Sequence, residues 1–234
     1  MIDIVALGEI LIDFTPSGVN EQGIAMFARN PGGAPANVLA MNNRLGGTSA
    51  FLGKVGADGF GRYLRQTLTE CGIYDAGLVE DNSIPTTLAF VQLNEQGDRS
   101  FSFYRKPGAD MLLKPETIKE DWFKDAFALH FCSVSIGDFP MKDAHEKAIE
   151  YATNNGAIIS FDPNVRLALW DDIDLLRKRI NEFIPKADIV KISDEELEFI
   201  TGKDSIEDAL PQLFTGRVKL VIYTKGSEGA EGIY

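Results

Sequence analysis

Short apolar runs alternate with amphipathic segments along most of the chain, and this alternation restricts the fold more than any other feature. The apolar runs lie at residues 2–7, 49–55, 127–134, 157–162, 187–193 and 219–224. The helical patterns lie at 35–45, 60–71, 140–154 and 172–184, and shorter ones start at 194 and 205. Because strands buried on both faces are continuously apolar, this order predicts an α/β fold with a mostly parallel sheet covered on both faces.

The pattern changes between residues 86 and 105, where two β-rich runs flank the turn sequence NEQGD at 94–98. This arrangement predicts an antiparallel hairpin. Its alternate positions are too polar for the buried sheet, so we expect a small separate sheet that acts as a lid, joined by the segment at about 14–28. With no repeat, low-complexity tract or linker, residues 1–234 are predicted to form a single α/β domain.

Composition excludes several classes of partner. The formal net charge of −12 argues against nucleic acid and anionic membranes, which attract clustered Lys and Arg. No apolar run approaches the roughly 20 residues needed to cross a bilayer. Cys71 and Cys132 lie far apart and outside any Cys/His cluster, so we expect reduced thiols in a cytoplasmic protein.

Polar and glycine-rich motifs follow the predicted strands, at the edge where parallel sheets bind ligands. Singly, each has a structural explanation. Asp13 suits a turn or cap, Ser193 and Glu196 have the spacing of a capping box, and the glycines of TKGSEG at 224–229 suit a turn into a hairpin. His130 and His145 are expected in structural or surface positions.

Two consecutive glycines, Gly32 and Gly33, precede the helical pattern at 35–45 and raise the question of what approaches the backbone there. A tight turn, with Pro35 in the first turn of a helix, is the structural explanation.

Six motifs in order resemble those of the ribokinase-like (PfkB) carbohydrate kinases, and their wording is closest to fructokinases. They are GGAPAN at 32–37, GADGFG at 56–61, FYRKPGADMLL at 103–113, DPNVR at 162–166, KISDEELEFITG at 191–202 and TKGSEG at 224–229. The resemblance covers essentially the whole chain. It implies a ribokinase-like three-layer sandwich with a β-sheet lid, which similar kinases often use to form a homodimer. It also implies phosphorylation of a sugar, D-fructose, with ATP and Mg²⁺.

The resemblance assigns a role to each matching residue. On the sugar side, Asp13 and Asn37 would bind hydroxyl groups, Gly32 and Gly33 would leave room for the ring, and Phe103 and Arg105 would cover it. Arg166 would offset charge on the transferred phosphoryl group and is the one catalytic residue assigned in this chain. The nucleotide side would be lined by Asn164, Ser193, Thr224, Gly226 and Gly229. Glu196 would hold magnesium through water.

Some alternatives stay open. Similar kinases of acidic sugars use an arginine such as Arg105 to hold a carboxylate, so a kinase of 2-keto-3-deoxygluconate or of another sugar is one alternative. The chain stops at Tyr234, before the G-A-G-D motif whose aspartate serves as the general base in the family. We therefore expect a C-terminally incomplete fructokinase with negligible activity and an unpaired strand edge near 219–223. A sugar- or nucleotide-binding module without catalysis is the other alternative.

Overall fold

The computed structural model describes residues 1–93 and 99–234, which contain twelve strands and six α-helices. The strands are β1 (Ile2–Leu7), β2 (Leu11–Val19), β3 (Ala25–Gly32), β4 (Ser49–Gly56), β5 (Tyr74–Asp81), β6 (Leu88–Leu93), β7 (Arg99–Tyr104), β8 (Ala126–Cys132), β9 (Ile158–Asp162), β10 (Ile189–Ser193), β11 (Leu220–Thr224) and β12 (Ala230–Ile233). The helices are α1 (Ala34–Arg44), α2 (Gly59–Glu70), α3 (Pro140–Asn154), α4 (Ile173–Phe183), α5 (Asp194–Thr201) and α6 (Ile206–Leu213). Every strand and helix predicted from the hydropathy pattern is present. The predicted NEQGD turn lies outside the described residues.

The chain divides into two compact units. The first unit, residues 1–7 and 114–234, contains six neighbouring strands in the order β12-β11-β10-β9-β8-β1. All its pairings are parallel except that of β11 with β12. Its core holds Phe131, Phe161 and Phe183, each fully buried, with the first two rings stacked at 4.8 Å.

The prediction of an unpaired edge near 219–223 is wrong. β11 pairs with β10 on one side and with β12 on the other, where Val221 lies opposite Ile233. The chain can reverse after β11 because the N–H of Lys225 donates to the carbonyl of Gly229 at 2.8 Å, and Gly229 adopts a φ of +100°. Glycine takes this backbone conformation at little cost.

The second unit, residues 8–113, contains α1, α2, the parallel pair β4-β5 and a four-stranded sheet in the order β3-β2-β6-β7. This small sheet includes both segments predicted as lid elements, and the hairpin of β6 and β7 is antiparallel as expected. Asp58 caps α2 by accepting from the N–H groups of Phe60 and Gly61 at 3.0 and 2.8 Å. It also accepts from the N–H of Thr86 at 2.9 Å, which ties the start of α2 to the segment that enters β6.

Both histidines are buried, so the expected surface alternative is wrong and the structural one holds. His130 lies in β8 and is 7% exposed, and His145 lies in α3 and is 1% exposed. Nδ1 of His145 donates to the carbonyl of Met141 at 2.8 Å. Burial lowers the pKa of each imidazole to about 4.

No helix in the described ranges is both long and apolar enough to span a bilayer. Neither cysteine forms a disulfide. The Cys71 thiol is exposed and the Cys132 thiol is buried.

Candidate functional site

The protein's own atoms occupy the space beside the glycine pair. Gly32 ends β3, and a Cβ there would overlap the carboxylate of Asp13. Gly33 precedes α1 with a φ of +113°, and its Cβ would overlap the carbonyl oxygen of Glu9. The close approach that excludes a side chain is therefore explained inside the chain. Contact of these glycines with a sugar ring stays a prediction.

Glu9 supports the start of α1, although nothing in the sequence singled it out. Its side chain is buried, and Oε1 accepts from the N–H of Ala34 at 3.3 Å. A carboxylate at this position also interacts favourably with the helix dipole. Asn37 lies exposed in the first turn, where its N–H donates to the carbonyl of Gly33 at 3.0 Å. The predicted sugar ligand Asn37 thus depends on Gly33 and Glu9 for its position.

Asp13 and Phe103 lie on one face of the small sheet. Asp13 in β2 is in register with Ala89 in β6, which is in register with Phe103 in β7. Since side chains in register point to the same face, the structure brings these two predicted sugar-binding residues together. Phe103 is half-buried and stacks on Phe101 with ring centroids 5.8 Å apart.

Arg105 is 6% exposed, and its guanidinium forms an ion pair with Asp110, which is 1% exposed. Nε and Nη2 of Arg105 lie 2.8 and 2.7 Å from Oδ2 of Asp110. The hydroxyl of Thr87 donates to the other oxygen of the same carboxylate. Sequence reasoning assigned Arg105 to the sugar but identified neither its partner Asp110 nor Thr87, which binds Asp110.

In the first unit, Glu196 is buried and accepts hydrogen bonds from Val165, Ser193 and Lys191. Oε1 accepts from the N–H of Val165 at 2.7 Å, and Oε2 accepts from the N–H and hydroxyl of Ser193 at 3.0 and 2.9 Å. Burial acts to raise the pKa of Glu196, but the hydrogen bonds from Ser193 and Val165 outweigh it and lower the pKa. The expected capping box is confirmed. A water-mediated contact of Glu196 with magnesium stays a prediction.

Lys191 lies between two carboxylates and was not singled out from the sequence. Its Nζ is 3.4 Å from Oδ1 of Asp162 and 3.5 Å from Oε2 of Glu196. Burial raises the pKa of Asp162; Lys191 opposes this shift, while the charge of Glu196 adds to it. The N–H of Asn164 donates to Oδ1 of Asp162 at 3.0 Å, in a turn where Asn164 has a φ of +43°. Non-glycine residues with positive φ are uncommon, and strained ones cluster at functional sites.

The remaining predicted residues of the first unit follow β9 to β11. Ser193 and Thr224 are in register at the ends of β10 and β11. Gly226 and Gly229 are exposed and have positive φ, and a Cβ at either position would have no neighbouring atom within 4 Å. Arg166 is exposed and donates from Nη1 to the carbonyl of Val165 at 2.9 Å. Among the described residues, no group of three or more His, Cys, Asp or Glu side chains is arranged to hold a metal ion.

Comparison with known families decides the family. The family described as pfkB family carbohydrate kinase matches residues 1–232. The chain belongs to the pfkB family of carbohydrate kinases. The expected enzyme class, a phosphotransferase acting on a carbohydrate, is thereby confirmed.

This carbohydrate kinase is similar to proteins named fructokinases. It is 44% identical over 231 residues to Fructokinase-1 of Zea mays, a match that covers 97% of this chain and 72% of that protein. The crystal structure of fructokinase with bound ATP from Xylella fastidiosa has a TM-score of 0.90 at 33% identity, covering 100% of this chain and 78% of the other. Fructokinase from Vibrio cholerae O395 in its fructose, ADP and calcium ion bound form has a TM-score of 0.88 at 37% identity, covering 99% and 73%. The predicted α/β fold with a small second sheet is confirmed.

The residues predicted for the two ligands of the kinase separate by unit. Those predicted for the sugar lie in the second unit: Asp13, Gly32, Gly33, Asn37, Phe103 and Arg105. Those predicted for the nucleotide, the metal and the phosphoryl group lie in the first: Asn164, Arg166, Ser193, Glu196, Thr224, Gly226 and Gly229.

Proposed function

We propose that this carbohydrate kinase transfers the γ-phosphoryl group of ATP to a hydroxyl oxygen of D-fructose, releasing ADP and the hydroxyl proton and forming fructose 6-phosphate. The observation that carries the proposal is its 44% identity, over 97% of the chain, to Fructokinase-1 of Zea mays. The likeness to a structure with fructose and ADP bound supports the same pair of ligands.

The second unit would bind the sugar. Asp13 accepts hydrogen bonds from sugar hydroxyls, and Asn37 can both donate and accept. Phe103, on the same sheet face as Asp13, supplies apolar surface against the ring carbons. Gly32 keeps the Asp13 carboxylate close to the backbone, since no side chain separates them.

The first unit would bind ATP. Ser193 and Thr224 stand side by side at the strand ends, where Thr224 offers a hydroxyl donor and Ser193, whose hydroxyl donates to Glu196, offers acceptor lone pairs. Asn164 follows β9 at the same edge. The open backbone at Gly226 and Gly229 suits close approach of a phosphate. Arg166 is exposed and offsets negative charge as the phosphoryl group moves.

The residues present fit a magnesium ion bound through water, because both oxygens of Glu196 already accept from protein donors and no direct ligand cluster occurs in the described ranges. The ion, when bound, neutralises phosphate charge, and Glu196 would orient its hydration water.

A homodimer through the small sheet and a cytoplasmic location complete the proposal. Large apolar side chains on one face of this sheet are exposed, with Phe27 at 43% and Tyr104 at 65%, and both rings contact the ring of Phe90. Exposed apolar groups of this size mark interaction surfaces when they are contiguous. Analytical ultracentrifugation tests this part: a monomer at micromolar concentration would contradict it. The two free thiols accord with a reducing compartment.

The test of the proposed reaction is ADP release with ATP, Mg²⁺ and a sugar panel. In a chain extended through the G-A-G-D motif, we expect D-fructose to give the highest kcat/KM, and Asp13→Asn to lower it at least about tenfold by removing a charged acceptor. The matched control is Glu21→Gln, an exposed carboxylate between β2 and β3. A preference for 2-keto-3-deoxygluconate contradicts fructose as substrate. Calorimetric sugar binding without ADP release by that extended chain indicates a binding module instead.

A further inference from the structure

The charge of Arg105 is balanced before any ligand arrives. Oδ2 of Asp110 lies 2.8 Å from Nε and 2.7 Å from Nη2 of the guanidinium, and both side chains are buried. Together the pair carries no net charge. An arginine that recognises a substrate carboxylate needs an uncompensated positive charge, because the attraction to that carboxylate is what repays its desolvation.

The Asp110 carboxylate is held on several sides. The Thr87 hydroxyl donates to its Oδ1. The segment that carries it is attached by the N–H of Ala109, which donates to the carbonyl of Pro85 at 3.0 Å. A Cβ at Gly108 would overlap Oγ1 of Thr87 and approach Oδ1 of Asp110 to 2.7 Å, so the cluster is closely packed. Asp110 is therefore a fixed partner of Arg105 and does not swing away to make room for a second anion.

The cluster adjoins the face of the small sheet that carries Asp13. Thr87 precedes Ala89 by two residues, and Arg105 follows Phe103 by two. Ala89 and Phe103 are in register with each other, and Ala89 is in register with Asp13. Thr87 lies immediately before β6 and Arg105 immediately after β7, so the cluster lies at the end of the two strands that carry Ala89 and Phe103.

We propose that Asp110 is a specificity-determining residue that neutralises Arg105, so that the sugar site accepts uncharged sugars and rejects sugars that carry a carboxylate. This inference rests on the proposed function, which places Arg105 at the sugar. A substrate carboxylate near this cluster would meet two carboxylates sharing one guanidinium, which is unfavourable in a partly buried site.

The test compares binding of D-gluconate and D-gluconamide, two ligands of similar shape that differ in charge, by calorimetry. For the unmodified protein we expect gluconamide to bind at least tenfold more tightly than gluconate, because the proposal has the site reject the carboxylate. Asp110→Asn keeps the size of the side chain but removes the negative charge that lies against the Arg105 guanidinium. In that variant we expect gluconate to bind at least tenfold more tightly than gluconamide, and the Arg105→Gln/Asp110→Asn double variant should lose this preference.

Thr87→Val is the matched structural control, because it removes a hydrogen bond to Asp110 but leaves both charges of the ion pair in place. It should loosen the cluster without creating a preference for gluconate. The proposal is overturned if Asp110→Asn shows no such preference, if Thr87→Val shows the same one, or if the double variant retains it. Should Asp110→Asn not fold, the unmodified protein still decides: gluconate binding as tightly as gluconamide there overturns the proposal.

A different result would contradict the proposed function without contradicting the role of Asp110. The proposed function fails if the unmodified protein neither binds nor phosphorylates D-fructose, whereas gained gluconate binding in Asp110→Asn would support the role of Asp110 even then.

Discussion

Gly33→Ala should destabilise the protein more than Gly46→Ala, although both glycines have a positive φ and flank α1. At Gly33, a Cβ would lie 3.0 Å from Cα of Ile10 and 3.1 Å from the carbonyl carbon of Glu9. It would also overlap the carbonyl oxygen of Glu9. Gly46 follows α1 with a φ of +95°, and a Cβ there has nothing within 4 Å. Both positions have a positive φ, and they differ in crowding.

The magnitudes follow from this difference. Placing alanine at positive φ costs roughly 1–2 kcal/mol, which is the whole expected loss for Gly46→Ala. Forcing a methyl group into packed backbone adds roughly 1–3 kcal/mol, so Gly33→Ala should lose about 2–5 kcal/mol. Movement of the Glu9 backbone would also disturb its contact with the Ala34 N–H.

Urea denaturation followed by far-UV circular dichroism measures both free energies of unfolding. Equal losses for the two variants would refute the reasoning, since they would show that backbone conformation alone decides the cost. A Gly33→Ala protein as stable as the unmodified one would show that Glu9 yields easily, and the close approach at residue 33 would then explain nothing.

Three further results are expected. Glu196→Ala should lower the free energy of unfolding in urea by about 2–4 kcal/mol, because the buried donors of Val165 and Ser193 lose their acceptor; a loss below about 0.5 kcal/mol would contradict the capping role. Stability should fall between pH 6.5 and 4, because the unfolded state takes up protons on His130 and His145 that the folded state, with pKa values of about 4, does not. The fall is roughly 3 kcal/mol for each histidine, and His145→Leu should flatten it in denaturation curves measured across that range. Asp58→Ala should cost about 2–4 kcal/mol in thermal or urea unfolding, because the α2 cap is lost and the buried donors of Thr86 lose their acceptor, while Asp171→Ala, one residue before the α4 cap, should cost less.

The buried parallel strands were predictable because their burial on both faces leaves a continuous apolar run. β9 and β10 show this pattern, and their ends agree with the prediction within about two residues. β5 was missed because its sequence, YDAGLVED, has acidic residues at both ends and buries little besides Gly77 and Leu78. Its position depends on pairing with β4, which no local pattern encodes.

The candidate site also contains residues that the sequence revealed and residues that it did not. Motifs that follow strands could be found in the sequence, since each combines glycines and polar residues over a few positions. The partners of those residues could not: Thr87 is 23 residues from Asp110, and Glu196 is 31 residues from Val165. Such contacts arise only when separate elements pack, so their residues carry no signal of their own in the sequence.

The packing of Asp13 against Gly32 links the natural variation of two positions. Any side chain at residue 32 would displace the carboxylate at residue 13, so a larger residue at 32 is tolerated only with a smaller one at 13. If Asp13 binds the sugar as proposed, selection for substrate use preserves Gly32 indirectly, without the glycine touching the substrate. In sequences of related kinases, the two positions should therefore change together or not at all.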